Sequence, residues 1–318
     1  MIMTDQRLTF CRILNGPFLV PRKGTAAPDA VTTPDVLFFN NKLHLYLGSV
    51  DGDREQIIHQ DFPVDSLGED VSPREISTTS SVVLQAGPHD FNSKHVFDPA
   101  TIYWNDKVHL FFSAIGEDDD SIGLAISNDG IKFDIVSSPV AVGRSPEVIL
   151  HKGKLYLFFV KRQAHRGYRI YSATFHECNR VEYTRTGPVL SVGPSGEWDH
   201  FEVTTPRLFE RNGIFYMIYA GSQKSDREDV PDAFGLARSE DLLDWEKYPH
   251  NPVFRKGDQG SWDDGAIWFG TVFIWVNLLY LLYEGGRSIN ITNKSPQLTE
   301  VGIAKLKIEE FDRIVSTW

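Results

Sequence analysis

One short pattern returns five times along the chain, and a repeat of this kind restricts the fold more than any property of composition. Four copies align without a gap from a proline onward: Pro34-Asp35-Val36-Leu37, Pro99-Ala100-Thr101-Ile102, Pro146-Glu147-Val148-Ile149 and Pro206-Arg207-Leu208-Phe209. Seven residues after each proline stands a hairpin-turn residue, namely Asn41, Asp106, Gly153 and Gly213. An apolar strand follows each turn, as in Leu43-His44-Leu45-Tyr46 and Phe215-Tyr216-Met217-Ile218. A fifth copy carries Gly270 in place of the proline, Asn277 at the turn and Leu279-Tyr280-Leu281-Leu282 as the strand. Each interval holds several short strands divided by Gly, Pro, Asn and Asp turns, which is the content of one propeller blade. The repeat therefore predicts an all-β chain, a five-bladed β-propeller of four-stranded antiparallel sheets, with residues 1–318 forming one domain.

Helical periodicity is weak throughout, apart from short turns near Asp241 and Glu309. The segment from Ala266 to Tyr283 is apolar enough to raise a membrane span. Its aromatic and β-branched content, and Asn277 at the expected turn, make it two strands instead, so no membrane partner is expected.

The formal net charge of -11, without a Lys/Arg cluster, lacks the electrostatic footprint of a nucleic-acid partner. Two cysteines, Cys11 and Cys178, are too few for a disulfide framework and fit a reducing compartment. The stretch from Met1 to Val20 lacks the unbroken apolar run of a secretory signal, so a cytoplasmic location is expected. No His and carboxylate spacing matches a catalytic metal site and no glycine loop cradles phosphate, so neither a metal nor a cofactor is expected.

In a propeller the innermost strand of each blade lines the central channel. If side chains alternate along that strand, the residues flanking each proline share a face, and Asp35, Asp98 and Glu147 converge on the axis with Ser145, Thr205 and Arg207. Three carboxylates and an arginine in one small volume are costly unless they serve a purpose. A capping role explains one such acid; three at equivalent positions favour a catalytic set. Glycoside hydrolysis uses such a set, with one acid held protonated and one carboxylate ionised.

The pattern resembles the five-bladed propeller glycoside hydrolases of families 43, 32 and 68, which include arabinanases, arabinofuranosidases, xylosidases and fructan-acting enzymes. The residues that carry the resemblance are Phe97-Asp98-Pro99, Arg144-Ser145-Pro146-Glu147, Gly235-Leu236-Ala237-Arg238-Ser239 leading to Trp245, and Trp262-Asp263-Asp264-Gly265. Asp98 matches the family's Asp-Pro motif. Two positions depart from it: Arg144 stands where the family Glu usually lies, and Thr33 where the family Asp precedes proline. The resemblance implies hydrolysis of a glycosidic bond in a small furanoside or related oligosaccharide, with Asp35, Asp98 and Glu147 as the acidic set. Glu202 and Asp29 are the reserve acid and base. His95, Arg144, Arg207, Asp264 and Trp104 are candidates for holding the sugar, although aromatics such as Trp104, Trp198 and Trp262 more often seal the interfaces between blades. A related phosphorylase or transferase, gripping phosphate with Arg144 and Arg207, and a non-catalytic sugar-binding propeller are the alternatives.

Overall fold

A computed structural model describes residues 7–64, 67–68, 71–117, 120–164, 166–176, 180–223, 229–291 and 298–318. Cys178 lies outside them, and Cys11 is a free, exposed thiol. The described residues form five mainly antiparallel sheets, one per repeat, with a short α-helix, Ile308–Val315, at the end and a 3-10 turn at Asp90–Asn92. The inner strands are Ala30–Phe39, His95–Trp104, Arg144–His151, Glu202–Arg211 and Ala266–Trp275. They pack against one another in cyclic order, the fifth against the first, and so close a five-bladed β-propeller. The apolar segment noted above is the strand pair Ala266–Trp275 and Leu278–Gly286, and among the described residues no helix is long and apolar enough to cross a membrane.

The apolar clusters lie in the seams between blades, because both faces of every sheet are covered by neighbours. Leu37, Tyr46, Leu110 and Phe112 fill the seam between blades 1 and 2; Phe111, Leu155, Leu157 and Phe175 fill the next. Trp198 stacks on Tyr219 and Trp262 lies tilted on Tyr283 at equivalent places, with the neighbouring Asp199 and Asp263 accepting hydrogen bonds from those tyrosine hydroxyls at 3.1 and 3.0 Å. The recurrent Trp-Asp pairs therefore belong to the seams.

Ring closure comes from the amino-terminal segment, to which the repeat assigns no place. Cys11–Arg12 and Leu19–Val20 both add antiparallel to Glu300–Lys307, the third strand of blade 5. Arg12 ties the closure down through two hydrogen bonds to Asp263, at 2.9 and 2.6 Å, with its guanidinium 4.4 Å above the Phe254 ring.

One backbone feature repeats in all five blades and positions the site. The residue just before the repeated proline position adopts a left-handed conformation: Thr33, Asp98, Ser145, Thr205 and Phe269 have φ of 39, 53, 54, 44 and 51°. At each of these places the pairing with the second strand slips by a β-bulge, as between Phe97 and Ala100 or Arg144 and Glu147. Left-handed backbone is unfavourable for residues with a Cβ, so its recurrence requires compensation. Part of that comes from side chains that take the exposed N–H groups: Ser145 N donates to Ser113 Oγ at 2.7 Å, and Thr33 N donates to Glu284 Oε2 at 3.0 Å. Ser113 and Glu284 occupy the same register position on the second strands of blades 2 and 5. The bulge also means that strict alternation does not carry across the proline, contrary to the parity rule applied to the sequence.

Candidate active site

The starting ends of the inner strands, the finishing ends of the second strands and the starting ends of the third strands all meet at one end of the channel. Sequence-predicted residues fall into two groups around this geometry. Asp98, Arg144, Glu202 and His95 stand at that entrance. Asp35, Glu147 and Arg207, one residue past their prolines, form a closed network in the layer beneath.

The lower network ties neighbouring blades together, although Arg207 Nε is buried without a hydrogen-bond partner. Asp35 Oδ2 accepts from both the backbone N–H and the hydroxyl of Thr101 in the next blade, at 2.8 and 2.5 Å. Glu147 accepts from Arg207 Nη1 at 3.0 Å and from Leu208 N at 2.9 Å, again in the next blade. Arg207, only 2 % exposed, also donates to the carbonyls of Pro146 and Pro99 at 2.7 and 3.1 Å, and its guanidinium lies 4.9 Å from the Phe269 ring centre. One arginine thus bridges four blades across the channel. Burial raises Glu147 to about 8 against the pull of Arg207, and burial raises Asp35 as well. The sequence expectation put Asp35 and Glu147 at the chemistry; the structure gives both the geometry of inter-blade struts, because their partners fix them to neighbouring backbone.

At the entrance, Asp98 is held by a chain of hydrogen bonds. Ser145 N–H donates to Ser113 Oγ, which must then donate its own hydrogen to Asp98 Oδ2 at 2.7 Å; the Ser145 hydroxyl adds a second donor at 3.2 Å. No hydrogen bond to Oδ1 is seen among the described residues. Burial raises the Asp98 pKa, while Arg144, the two serines and Arg207 favour its charge.

Glu55, at the start of the third strand of blade 1, is the neighbour that the sequence reading missed. Its carboxyl is pushed up to about 7 by burial and by the charge of Asp98, with Arg144 opposing. Its backbone N–H donates to His95 Nδ1 at 3.3 Å. That contact makes His95 Nδ1 an acceptor and so places the imidazole proton on Nε2; the 3.5 Å approach of Nδ1 to Glu55 Oε2 is then not an ion pair. Burial lowers the pKa of His95, in keeping with a neutral ring.

Glu284 is the second missed acid. It accepts from Thr33 N and, at 2.7 Å, from the Thr299 hydroxyl, and it is raised to about 8 by burial, with the charges of Asp98 and Glu55 adding to the effect. Only a Glu at the tail of an apolar strand, Leu282-Tyr283-Glu284, hints at it in the sequence.

Arg144 is the cation of this entrance. Burial opposes its charge, but Asp229, Tyr168, Asp98 and Asp120 outweigh that cost. Its guanidinium lies 3.2 Å from Asp229, 3.8 Å from Asp120 and 3.3 Å from the Tyr168 hydroxyl, and it sits over the Phe97 ring at 5.1 Å. Glu202 is fully buried and accepts from Ser222 Oγ, Asp229 N and Tyr168 N at 2.9, 3.0 and 3.4 Å; burial and Asp229 raise it to about 7. Gly167 leaves room for it, since a Cβ there would fall 2.7 Å from Glu202 Cβ.

The remaining candidates lie elsewhere. Trp104 is at the opposite end of its strand from Asp98 and packs against His109 and Phe175 in the seam between blades 2 and 3. Asp264 accepts from Gly260 N and Ser288 N at 2.9 and 2.7 Å, holding two loops, and these bonds lower its pKa. Asp29 pairs with Lys23 and accepts from Gly52 N at 2.8 Å, a turn-capping role.

No protein-family model and no curated protein matches this sequence. Solved structures do match in fold. An α-L-arabinofuranosidase from Lactobacillus brevis is 17 % identical, covers 89 % of this chain and 94 % of that one, and superposes with a TM-score of 0.63. A GH43_1 enzyme from Xanthomonas citri complexed with xylotriose is 15 % identical over 93 % of this chain and 89 % of that one, with a TM-score of 0.57. An N-acetylgalactosamine deacetylase from F. plautii, in complex with blood group B trisaccharide, is 14 % identical over 96 % and 97 %, with a TM-score of 0.67. The five-bladed propeller expected from the repeat is thus the fold of these carbohydrate-active neighbours.

Proposed function

We propose that this protein is a glycosidase that cleaves a glycosidic bond of a small furanoside or related oligosaccharide at the channel entrance. The observation that carries the reading is the clustering of Asp98 and Glu55 beside Arg144: two carboxyl groups in one buried site, both raised by burial, with the charge of Asp98 raising Glu55 further and two serine hydroxyls donating to Asp98. Asp98, fed by two hydroxyl donors and two arginine charges, serves as the ionised carboxylate that acts on water or on the anomeric carbon. Its charge helps to keep Glu55 protonated near neutral pH, as a general acid for the leaving oxygen must be. Neutral His95 offers its Nε2–H to a sugar hydroxyl. Glu284 and Glu202, whose oxygens are taken up by protein donors, set the local field.

The reading keeps Asp98 from the sequence-derived set and moves the acid from Glu147 to Glu55. Both arginines are committed to carboxylates or carbonyls, which speaks against a phosphate-dependent phosphorylase. The test is product analysis on a panel of nitrophenyl furanosides and pyranosides, short arabino-, xylo- and fructo-oligosaccharides and N-acetylated sugars. Release of reducing sugar that is lost in Asp98→Asn supports the proposal. Acetate release without glycosidic cleavage points to the deacetylase chemistry of one structural neighbour, and saturable binding without turnover points to a sugar-binding propeller; either result overturns it.

A further inference from the structure

Blade 1 carries a second polar cluster at the opposite end of the channel from Asp98, near the hairpin that joins its first two strands. His44 and Asp61 are direct cross-strand partners on the second and third strands, and His59, two residues before Asp61, shares their face. His44 Nδ1 and His59 Nε2 lie 2.8 Å apart, both rings are buried, and one ligand atom from each of His44, His59 and Asp61 lies within 4.8 Å of the others. Asp61 is exposed and gives the cluster an opening to solvent.

The hydrogen-bond pattern orients these nitrogens. His44 Nε2 lies 3.2 Å from the carbonyl oxygen of Phe39, which can only accept, so the His44 proton sits on Nε2 and Nδ1 carries the lone pair. His59 Nε2 must then be the donor between the two rings. The arrangement matches a metal ligand whose other ring nitrogen is anchored to a backbone carbonyl. Simple ring packing against Phe39 and Tyr46 accounts for the burial, but not for two nitrogens and a carboxylate converging on one point.

We propose that His44, His59 and Asp61 form a zinc site, with water as the fourth ligand. Zn²⁺ takes the place of the hydrogen shared by the two rings, and His59 carries its proton on Nδ1 instead of Nε2, so no proton need leave the site. The two nitrogens open from 2.8 Å to about 3.3 Å, as Zn–N bonds of ~2.0–2.1 Å at a tetrahedral angle require. Lys42, paired with Asp61 at 3.3 Å in an exposed and therefore weak contact, gives up the carboxylate. The ion would tie the second strand of blade 1 to its third. The adjoining seam is the one where Phe39 meets Tyr103 and the Tyr46 hydroxyl donates to the Gly130 carbonyl.

The test is calorimetric titration of zinc chloride into tag-free, chelator-treated full-length protein, with thermal melts in parallel. One saturable ion per chain and a rise in Tm that saturates with it are expected. His59→Gln should weaken binding by at least about 100-fold and Asp61→Asn by about 10-fold. Lys42→Ala, which frees Asp61, should tighten it severalfold. Asp61→Asn and Lys42→Ala alter exposed side chains, so they keep the test valid should His59→Gln fail to fold. Absence of saturable binding below millimolar zinc overturns the proposal, as does binding that all the variants share with the wild type.

Discussion

Arg207→Met removes a side chain that reaches across the channel, and its cost can be worked from the contacts. The substitution preserves most of the apolar volume but leaves Glu147 without its charged partner and two backbone carbonyls, those of Pro99 and Pro146, without a donor. Breaking a buried ion pair from one side costs about 3–5 kcal/mol, and each orphaned buried carbonyl adds on the order of 1 kcal/mol or more. Protonation of Glu147, which burial already favours, relieves part of the charge term and places the expected loss near 4 kcal/mol. At roughly 2 °C per kcal/mol for a chain of this size, Tm falls by about 8 °C. The assay is urea unfolding with a thermal melt at pH 7. The double variant Arg207→Met/Glu147→Leu should recover a substantial part of the loss, because no unpaired acid then remains. Strictly additive losses, or an Arg207→Met change below about 1 kcal/mol, would refute the strut assignment.

Other expectations follow from the same geometry. Glu284 is raised above its unfolded value, so it contributes stability that is fully present below about pH 4.5 and is lost as pH rises through about 8. In Glu284→Gln, a neutral near-isostere that can still accept from Thr33 N, the fall in Tm between pH 6 and 8 should be shallower than in the wild type; parallel curves would remove Glu284 as a neutral buried acid. Arg12→Ala strips the partly buried Asp263 pair that holds the closing strand, and a loss of about 2 kcal/mol is expected by urea unfolding, whereas an unchanged midpoint would show that the amino-terminal strand closes the ring without it. With Glu55 as the acid, kcat/KM should decline as pH rises through about 7; a rate still increasing at pH 8 would argue that Glu55 must be ionised.

The architecture was legible because the repeat is written in backbone chemistry: a proline, a turn residue seven positions later and an apolar strand after it define each hairpin directly. Gly270 could stand for proline because the shared requirement is the bulge with its left-handed residue, here Phe269, not the ring itself. The candidate site was less legible for the same reason. The bulge breaks the alternation from which convergence of Asp35, Asp98 and Glu147 was inferred, and only the coordinates separate the strut layer from the entrance layer. Glu284 stands two residues past the repeated run Leu279-Tyr280-Leu281-Leu282, and Glu55 opens a third strand for which no repeated motif was read, so nothing local marks either acid as part of a site. The amino-terminal strand has no repeat partner and is explained only by the open edge of blade 5. Trp104 shows the reverse case, an aromatic suited to sugar stacking whose position at the far end of a strand commits it to a seam.

The most direct measurement compares Glu55→Gln with Glu147→Gln on two kinds of substrate: a glycoside with a poor leaving group and its nitrophenyl counterpart, each variant first shown to be folded. The account predicts that Glu55→Gln lowers kcat/KM by about 100-fold or more on the poor leaving group and far less on the activated one, since only the former needs a proton. Glu147→Gln should change both substrates alike and by less than about tenfold. If Glu147→Gln shows the leaving-group dependence while Glu55→Gln stays near wild type, the acid lies in the lower layer and the entrance assignment is contradicted.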